Sequence, residues 1–548
     1  MVDVHTAAPV ATISRTERRN RERQQRISAR RSSAPAVLAR VLVVVGCVLR
    51  VRQFVFHRSL WTDETMLALN VLHRNYAGLT HPLALLQGAP IGFLWLQKTS
   101  TIVFGSNEYA LRLVPLLAGL ASIFFFASFV RRTLGGWPRC VALAIFAISP
   151  TLVYYATEAK QYGMDVFVVV VLCWFCGRLL DSELSWSNVL VWAGVTAVLI
   201  WCSFPAPLAA GATTGVLVIS AWRGRRWNDI KMVAIGTAIW LASLGLEYLV
   251  SLRKLHGVKA LLGYWQGGMA PQPLRVGTTV SWLGSTVHGL VGSPLDFGVW
   301  PLAVALIGVG LLALLWRRFY IGVFIVVVIG GAFAAAIVHE YPVQGRLVVF
   351  FVPLACVALA ATLLLSRRWP AQLLVCALIA AVMVPSVASA AHAVWSPYTT
   401  TEAREAYLYV QQHERPGDKI LVEWSGMAVY YYYNETLGVS GTGSFQVSDS
   451  VKACDNGAPL GQLRAFSRIW FVFAVPPGIE ANAISQYMPM LRQVGRVLTV
   501  HLTPGNAGAV LVQVRHRAEP ANPPLPAPNW GPGAYGCAQV TLFGPASG

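Results

Sequence analysis

Two adjacent acids, Asp63 and Glu64, stand in the segment SLWTDETMLAL, residues 59–69, directly after an apolar run over residues 41–56. A second stretch, SPTLVYYATEAKQYGMDVF, carries Glu158, Lys160 and Tyr162. A third, HEYPVQGRLVVFFVPLA, carries His339, Glu340, Tyr341 and Arg346. Between the second and third, residues 251–297 hold Lys254, His256, Lys259, Tyr264, Trp265 and Arg275. Each group adjoins a long apolar segment. Polar side chains next to a membrane need partners or a water-filled cavity. A carboxylate takes a proton from an attacking hydroxyl, and cations hold a phosphate through charge-assisted hydrogen bonds. Acids and bases converging on one interface therefore suggest chemistry on a lipid headgroup.

Each residue also has an ordinary role open to it. Asp63 suits the N-cap of a helix over Met66–Val71, since its carboxylate can accept from free N–H groups. Glu158 can form a local ion pair with Lys160, which is weak when exposed. Arg346 can anchor in outer-leaflet headgroups by snorkelling. His339 and Glu340 offer two adjacent ligands for a divalent cation, too few to define a metal site. The run Tyr430–Tyr433 reads as the edge of a packed core, with stacking on a sugar as the alternative.

The elements that position these residues follow from composition. The chain has 548 residues, is 55% hydrophobic and only 12% charged, about half the charged share of a soluble protein. Apolar runs of roughly 20 residues, the length of a membrane-crossing helix, recur from residue 36 to residue 391. The net charge of +19 does not indicate nucleic acid. Arginines cluster in an arm before the first span (Arg15, Arg18, Arg19, Arg21, Arg23, Arg26, Arg30, Arg31) and in the pairs Arg131-Arg132, Arg225-Arg226, Arg317-Arg318 and Arg367-Arg368. All fit cytoplasmic loops under the positive-inside rule and attract anionic membrane lipid. The arm is too long and polar for a cleavable signal peptide.

These charges predict about eleven spans. They run near 36–56, 109–130, 137–155, 164–180, 186–202, 205–222, 230–250, 298–316, 319–338, 347–365 and 370–391. Ile91–Phe104 is apolar but short and reads as an interfacial helix, because a span there would turn Arg131-Arg132 outward. The odd count places the N-terminal arm, residues 1–35, in the cytoplasm. It puts residues 36–391 in the membrane of the cell, and the acids and the tail, residues 396–548, outside. In the tail, EAREAYLYVQQHERPGDKILVEW reads as helix, Pro-Gly turn and buried strand. SRIWFVFAV and AGAVLVQVRH read as further strands, residues 480–493 as helix, and residues 519–533 as Pro-rich and irregular. The predicted fold is thus a polytopic α-helical membrane protein with a C-terminal extracytoplasmic α/β domain. Of nine cysteines, seven lie in or beside apolar spans and read as small buried side chains. Cys454 and Cys537 lie in the tail, where an oxidising exterior permits pairing. No zinc-ligand spacing occurs, so no structural zinc is predicted.

In order along the chain stand SLWTDETMLALN, APIGFLWLQK, EYALRLVPLLAGLAS, YYATEAKQY and YPVQGRLVVFFVPL. Together they resemble the GT-C class of membrane glycosyltransferases, in particular protein O-mannosyltransferases and the lipid A aminoarabinose transferase. The resemblance covers residues 36–391 and is strongest around the acid pair. In the EAKQY turn the family more often has Arg where this chain has Lys160, an exchange that keeps charge but loses bidentate geometry. The tail matches no named family.

The resemblance implies a polyprenyl-phosphate sugar donor used on the outer face, with single displacement inverting the anomeric carbon. Asp63 becomes the general base, with Glu64 bracing its loop and Glu158 orienting base or acceptor. Arg346 and Lys160 become the donor-phosphate ligands. Tyr162, His339, Glu340 and Tyr341 are candidate substrate contacts. No cofactor is demanded, and a divalent cation is compatible. The favoured sugar is mannose and the favoured acceptor an envelope glycan or lipoglycan. Alternatives are polyprenyl-phosphate arabinose as donor, a ligase moving a preassembled oligosaccharide, a lipid-sugar flippase or transporter, and a non-catalytic scaffold. A transporter should carry polar groups near mid-membrane on broken helices, whereas these acids sit at outer ends.

Overall fold

A computed structural model describes residues 15–256, 263–366, 368–438, 446–448, 466–475 and 483–515. Cys454 and Cys537 lie outside the described residues. The chain is mostly helical, with a small sheet near its C-terminal end.

Helix α1 (Arg15–Val55) begins in the arginine arm and is apolar from Ala34 onward. A short loop leads to α2 (Thr62–His73), and α3 (Ile91–Phe104) is a 14-residue apolar helix. Then come α4 (Glu108–Thr133), α5 (Gly136–Ile148), α6 (Pro150–Tyr155) and α7 (Tyr162–Asp181). They are followed by α8 (Trp186–Ile200), α9 (Ala206–Arg223) and α10 (Trp227–Glu247). Among the described residues, six helices are long and apolar enough to cross a membrane, and the pair Trp369–Val382 and Val384–Trp395, bent by 62°, makes a seventh if counted as one span. Every one of the eleven segments expected as spans holds helix, but several are short or broken. The stretch 251–297, expected as a loop, contains the helix Val276–Gly292. Its apolar residues are mixed with Gly, Ser and Thr, so its signal is weaker than that of a span.

The break between α5 and α6 shows how the bundle satisfies its backbone. Pro150 lacks an N–H and opens the second helix, where a missing donor costs little. The Ser149 hydroxyl accepts from Leu152 N at 3.3 Å. Buried Arg50 of α1 donates to the Phe146 and Ala147 carbonyls at 3.4 and 3.3 Å, oxygens that a continuous helix would have paired internally. Helix α7 is largely buried and packs against α4 and α9, so what its N-terminal end carries is held rigidly.

The sheet runs β2 (Gln446–Ser448), β1 (Lys419–Glu423), β3 (Arg468–Ala474), β5 (Ala507–Val514), β4 (Gly495–Thr503). β1 lies parallel to β2 and β3, while β5 lies antiparallel to β3 and β4. The central strand β3 is buried on both faces, which explains its unbroken apolar run. Trp470, Val472 and Ala474 join the core shared with the membrane helices, and Phe471 and Phe473 pack with Tyr487 and Leu491 of the helix Ala483–Val494. Strand β4 and the helix Met427–Leu437 were not expected from the sequence. The latter holds the tyrosine run, with Tyr430, Tyr432 and Tyr433 buried.

Candidate active site

The site is built on the loop between α1 and α2, and the C-terminal domain grips that loop. Glu402 accepts from the Ser59 backbone at 2.9 Å and its hydroxyl at 2.8 Å. The Tyr433 hydroxyl accepts from Leu60 N at 2.8 Å, and the Thr62 hydroxyl donates to the Ser425 carbonyl at 3.0 Å. Glu108, at the N-terminal end of α4, gathers His57, Arg404 and Tyr433. His57, Ser59 and Leu60 are thereby fixed before α2 begins, and Thr62 as it begins. Helix α2 opens with Trp61 in extended backbone conformation as N-cap. Asp63 therefore lies inside the first turn and is not the N-cap. The Glu64 side chain reaches back to Trp61 N at 3.4 Å.

Asp63 is held between two cations. Lys160 Nζ lies 3.0 Å from one carboxylate oxygen and Arg346 Nη1 3.0 Å from the other. Gln87 donates to Asp63 Oδ1 at 3.2 Å and accepts from Lys160 through its own carbonyl. Burial alone would raise the Asp63 carboxyl, but Lys160 and Arg346 outweigh it and hold it below its ordinary value. Lys160 is pushed down, by burial first and then by Arg346, against the pull of Asp63. Burial opposes charge on Arg346, yet its anionic and phenolic neighbours hold it above its usual value. Asp63 and Arg346 keep 15% and 17% side-chain exposure while Lys160 keeps 3%, so the first two face the accessible side.

Glu64 faces the other way. It is fully buried and takes a bidentate pair of bonds from Arg112, at 3.0 and 2.7 Å. Ala159 N donates to it at 2.7 Å, and Arg58 lies 3.7 Å away. Burial raises its carboxyl, and the two arginines more than offset that. Arg112 also donates to the Arg58 and Ser59 carbonyls. Glu64 thus staples α2, α4 and the turn after α6.

The Glu158–Lys160 ion pair considered from sequence does not form, because Lys160 turns to Asp63. Glu158 instead accepts from the Trp61 indole at 3.0 Å, and its second oxygen has no hydrogen-bond partner among the described residues. Burial, then the charge of Glu64, pushes its carboxyl up to about 7. Arg346 is framed by the rings of Trp265, Trp61 and Tyr162, at 5.3, 5.5 and 5.7 Å, the range of cation–π attraction. Gly163 lets α7 start this close to the turn, since an added Cβ would meet the Tyr155 carbonyl at 2.6 Å.

The structure brings together Asp63, Glu158, Lys160, Tyr162 and Arg346. It turns two other candidates elsewhere. The His339 ring bonds the Ala270 carbonyl at 2.8 Å, and the Tyr341 hydroxyl donates to the Leu347 carbonyl at 2.6 Å, bracing the turn Gly345–Val348 that carries Arg346. Glu340 is exposed. Among the described residues no three His, Cys, Asp or Glu side chains stand close enough to hold a metal ion. Sequence reasoning missed Gln87, Trp61, Arg58 and Arg112. Arg112 carried a usable signal, being a charged residue within an apolar helix. Gln87 carried none, since its importance arises only from where the chain folds it.

The family of dolichyl-phosphate-mannose-protein mannosyltransferases matches residues 88–245. No curated protein matches the chain at a significant level. Among solved structures, the chain is similar to the archaeal oligosaccharyltransferase AglB from Archaeoglobus fulgidus in complex with an inhibitory peptide and a dolichol-phosphate. The identity is 11%, over 86% of this chain and 74% of that one, with a TM-score of 0.47. It is also similar to ArnT from Cupriavidus metallidurans bound to undecaprenyl phosphate, at 14% identity over 87% of this chain and 97% of that one, with a TM-score of 0.47. The chain resembles the GT-C class of membrane glycosyltransferases. It is a multi-pass membrane protein. The matched segment contains Glu158, Lys160 and Tyr162, whereas Asp63, Glu64 and Arg346 lie outside it.

Proposed function

We propose that this protein transfers a single sugar, mannose, from a polyprenyl-phosphate donor to an extracytoplasmic envelope acceptor, a lipoglycan, with inversion at the anomeric carbon. The observation that carries this reading is the carboxylate of Asp63 bound by Arg346 and Lys160 in the first turn of α2. The same two cations suit a lipid phosphate. When the phosphate takes them, Asp63 loses the charges that hold its carboxyl low and becomes more basic. The acceptor oxygen attacks C1 opposite the phosphate, and the C1–O bond to phosphate breaks. The hydroxyl proton passes to Asp63, and the lipid monophosphate leaves with its added negative charge on Arg346 and Lys160. Exchange of one anion for another thus arms the base only when donor is present. Trp61, Tyr162 and Trp265 limit water around Arg346, which strengthens its attraction to phosphate.

In this reading residues 1–35 form a cytoplasmic arm, residues 36–391 the catalytic membrane domain and residues 396–548 an outer domain that fixes the loop before α2. A reporter enzyme active only outside the cytoplasm should work when fused after residue 395 and be silent after Arg226. The test of function is a donor-swap assay on purified protein with polyprenyl-phosphate mannose and polyprenyl-phosphate arabinose. Transfer from the mannose donor with an inverted product supports the reading. Transfer from arabinose alone, or binding without transfer, overturns it.

A further inference from the structure

The two oxygens of Asp63 are not equivalent. Oδ1 has two partners: Lys160 Nζ lies 3.0 Å from it, and Gln87 Nε2 donates to it at 3.2 Å. Oδ2 lies 3.0 Å from Arg346 Nη1, yet it makes no well-formed hydrogen bond among the described residues. Charge without a directed bond holds that side of the carboxylate. A carboxylate oxygen has two lone pairs, so Oδ1 is filled and Oδ2 is the oxygen with room for a proton.

Gln87 is the neutral member of this group. It is 8% exposed, and its carboxamide spans the ion pair, donating to Asp63 through Nε2 and accepting from Lys160 through Oε1. The backbone that delivers it is strained. Leu85 and Leu86, the two residues before it, stand at φ of +61° and +53°, a left-handed conformation that is costly for any residue with a Cβ. Such strain persists only where the surroundings over-determine it, and here they do. Asn70 of α2, fully buried, accepts from Ala84 N at 2.8 Å and donates to the Ala84 carbonyl at 3.1 Å. Beyond Gln87, the Gly88 carbonyl accepts from Gln161 at 3.4 Å, and Gly92 N donates to the Trp201 carbonyl at 2.7 Å. The Leu85 carbonyl itself accepts from Gln87 Nε2 at 3.2 Å. Asn70 stands seven residues after Asp63, two turns along the same face of α2, so the base and the strained turn share one support.

We infer that Gln87 is a positioning residue for the transfer, holding Asp63 by Oδ1 so that Oδ2 takes the acceptor proton. This rests on the reading of Asp63 as the general base. When a lipid phosphate takes Arg346 and Lys160, Gln87 is the partner left on the carboxylate. Its uncharged N–H keeps Oδ1 in place without the full Coulombic pull by which a cation lowers basicity. The acceptor O–H then gives its proton to Asp63 Oδ2 as its oxygen bonds to C1 and the C1–O bond to phosphate breaks. Gln87 gains and loses no proton in the step.

The substitution Gln87→Met keeps the length of the side chain and removes both bonds. In the full chain in detergent it should bind polyprenyl-phosphate mannose as tightly as the parent or tighter, because Gln87 competes with the phosphate for Lys160. At saturating donor, its single-turnover transfer onto a purified envelope lipoglycan should fall by roughly 10- to 100-fold, the scale of a misplacement of about 1 Å. The acidic limb of its pH–rate profile, which reports the base in the donor complex, should move up by about one pH unit for the hydrogen bond lost to the ionised acid. In an Asp63→Asn background the same substitution should cost less than about threefold, since its effect passes through the base. Should Gln87→Met fail to fold, Gln87→Asn, one methylene too short to span the pair, is put through the same measurements. Unchanged transfer and profile overturn the role. So does a loss equal in both backgrounds, or one confined to donor affinity, because an amide that merely satisfies a buried ion pair would produce either. Near-normal transfer by Asp63→Asn alone overturns instead the reading of Asp63 as the base.

Discussion

Asp63 and Glu64 are neighbours in sequence and opposites in environment. Residues adjacent on a helix point about 100° apart, and the first turn of α2 uses that angle to separate two tasks. Asp63 meets Lys160 and Arg346, cations delivered by two distant turns, and keeps 15% exposure. Glu64 is sealed and bonded by Arg112, Ala159 N and the Trp61 backbone. Both carboxyls are held low against burial by cations. The difference lies in whether those cations can leave. Arg112 is committed to two backbone carbonyls besides Glu64. Among the described residues Arg346 Nε has no hydrogen-bond partner, and the side chain keeps 17% exposure. An ion pair that can be exchanged serves chemistry, and one that cannot serves structure.

The sharpest way to break this contrast is Asp63→Asn. Asparagine keeps an oxygen for Gln87 and Lys160 but cannot take a proton. The variant should fold, insert and bind bare polyprenyl phosphate, while single-turnover transfer falls by on the order of 10²–10⁴-fold. Near-normal transfer would move the base to Glu158.

Glu64→Gln should invert that pattern. It leaves Arg58 and Arg112 buried without their counter-charge, and removing one partner of a buried pair costs about 3–5 kcal/mol. The yield of monodisperse protein and its Tm should fall sharply, while turnover per folded molecule changes little. Full stability with lost turnover would place Glu64 in the chemistry and erase the distinction drawn here.

The sequence made half of this contrast legible. An acid pair after an apolar run, and mixed charge at several outer ends, pointed to Asp63, Glu158, Lys160 and Arg346, which the fold brings together. Apolar run length located helices, six of them long enough to cross a membrane among the described residues, and the apolar runs of the tail located the buried strands β1, β3 and β5. The rest depends on three-dimensional closure. Glu64 is a staple only because Arg112, 48 residues on, faces it. His339 looked like a site residue by proximity to Arg346, but its ring is spent on the Ala270 carbonyl. Strand β4 alternates along an edge of the sheet, a weaker pattern than the solid apolar run of β3.

Arg346 probes the exchangeable half more gently. Arg346→Ala removes one of two phosphate ligands and should weaken binding of bare polyprenyl phosphate by roughly 10- to 100-fold, the scale of a charge-assisted bond. Arg346→Lys should recover part of this, since charge returns without the planar fork. Unchanged affinity in the alanine variant would make Arg346 a headgroup anchor.

The smallest effect concerns Glu158, the third acid, which lies between the two behaviours: buried like Glu64, yet with a free oxygen. Its carboxyl titrates at about 7, raised by burial and by Glu64. The sign follows from that direction. Because the folded value exceeds the unfolded one, the folded protein favours neutral Glu158; its contribution to stability is complete at acidic pH and is lost as pH rises through about 7. Ionisation also places a new negative charge beside Arg346, where a lipid phosphate must bind. Affinity for polyprenyl-phosphate mannose, a phosphodiester that keeps a single charge across this range, should therefore fall by roughly three- to tenfold between pH 6 and pH 8, a modest like-charge penalty at a partly screened site. Glu158→Gln cannot ionise, so its affinity should stay flat across that range at the level of the parent at pH 6. An inflection that persists in the glutamine variant would assign the titration to another group and return Glu158 to the structural side of the site, as a partner for the Trp61 indole alone.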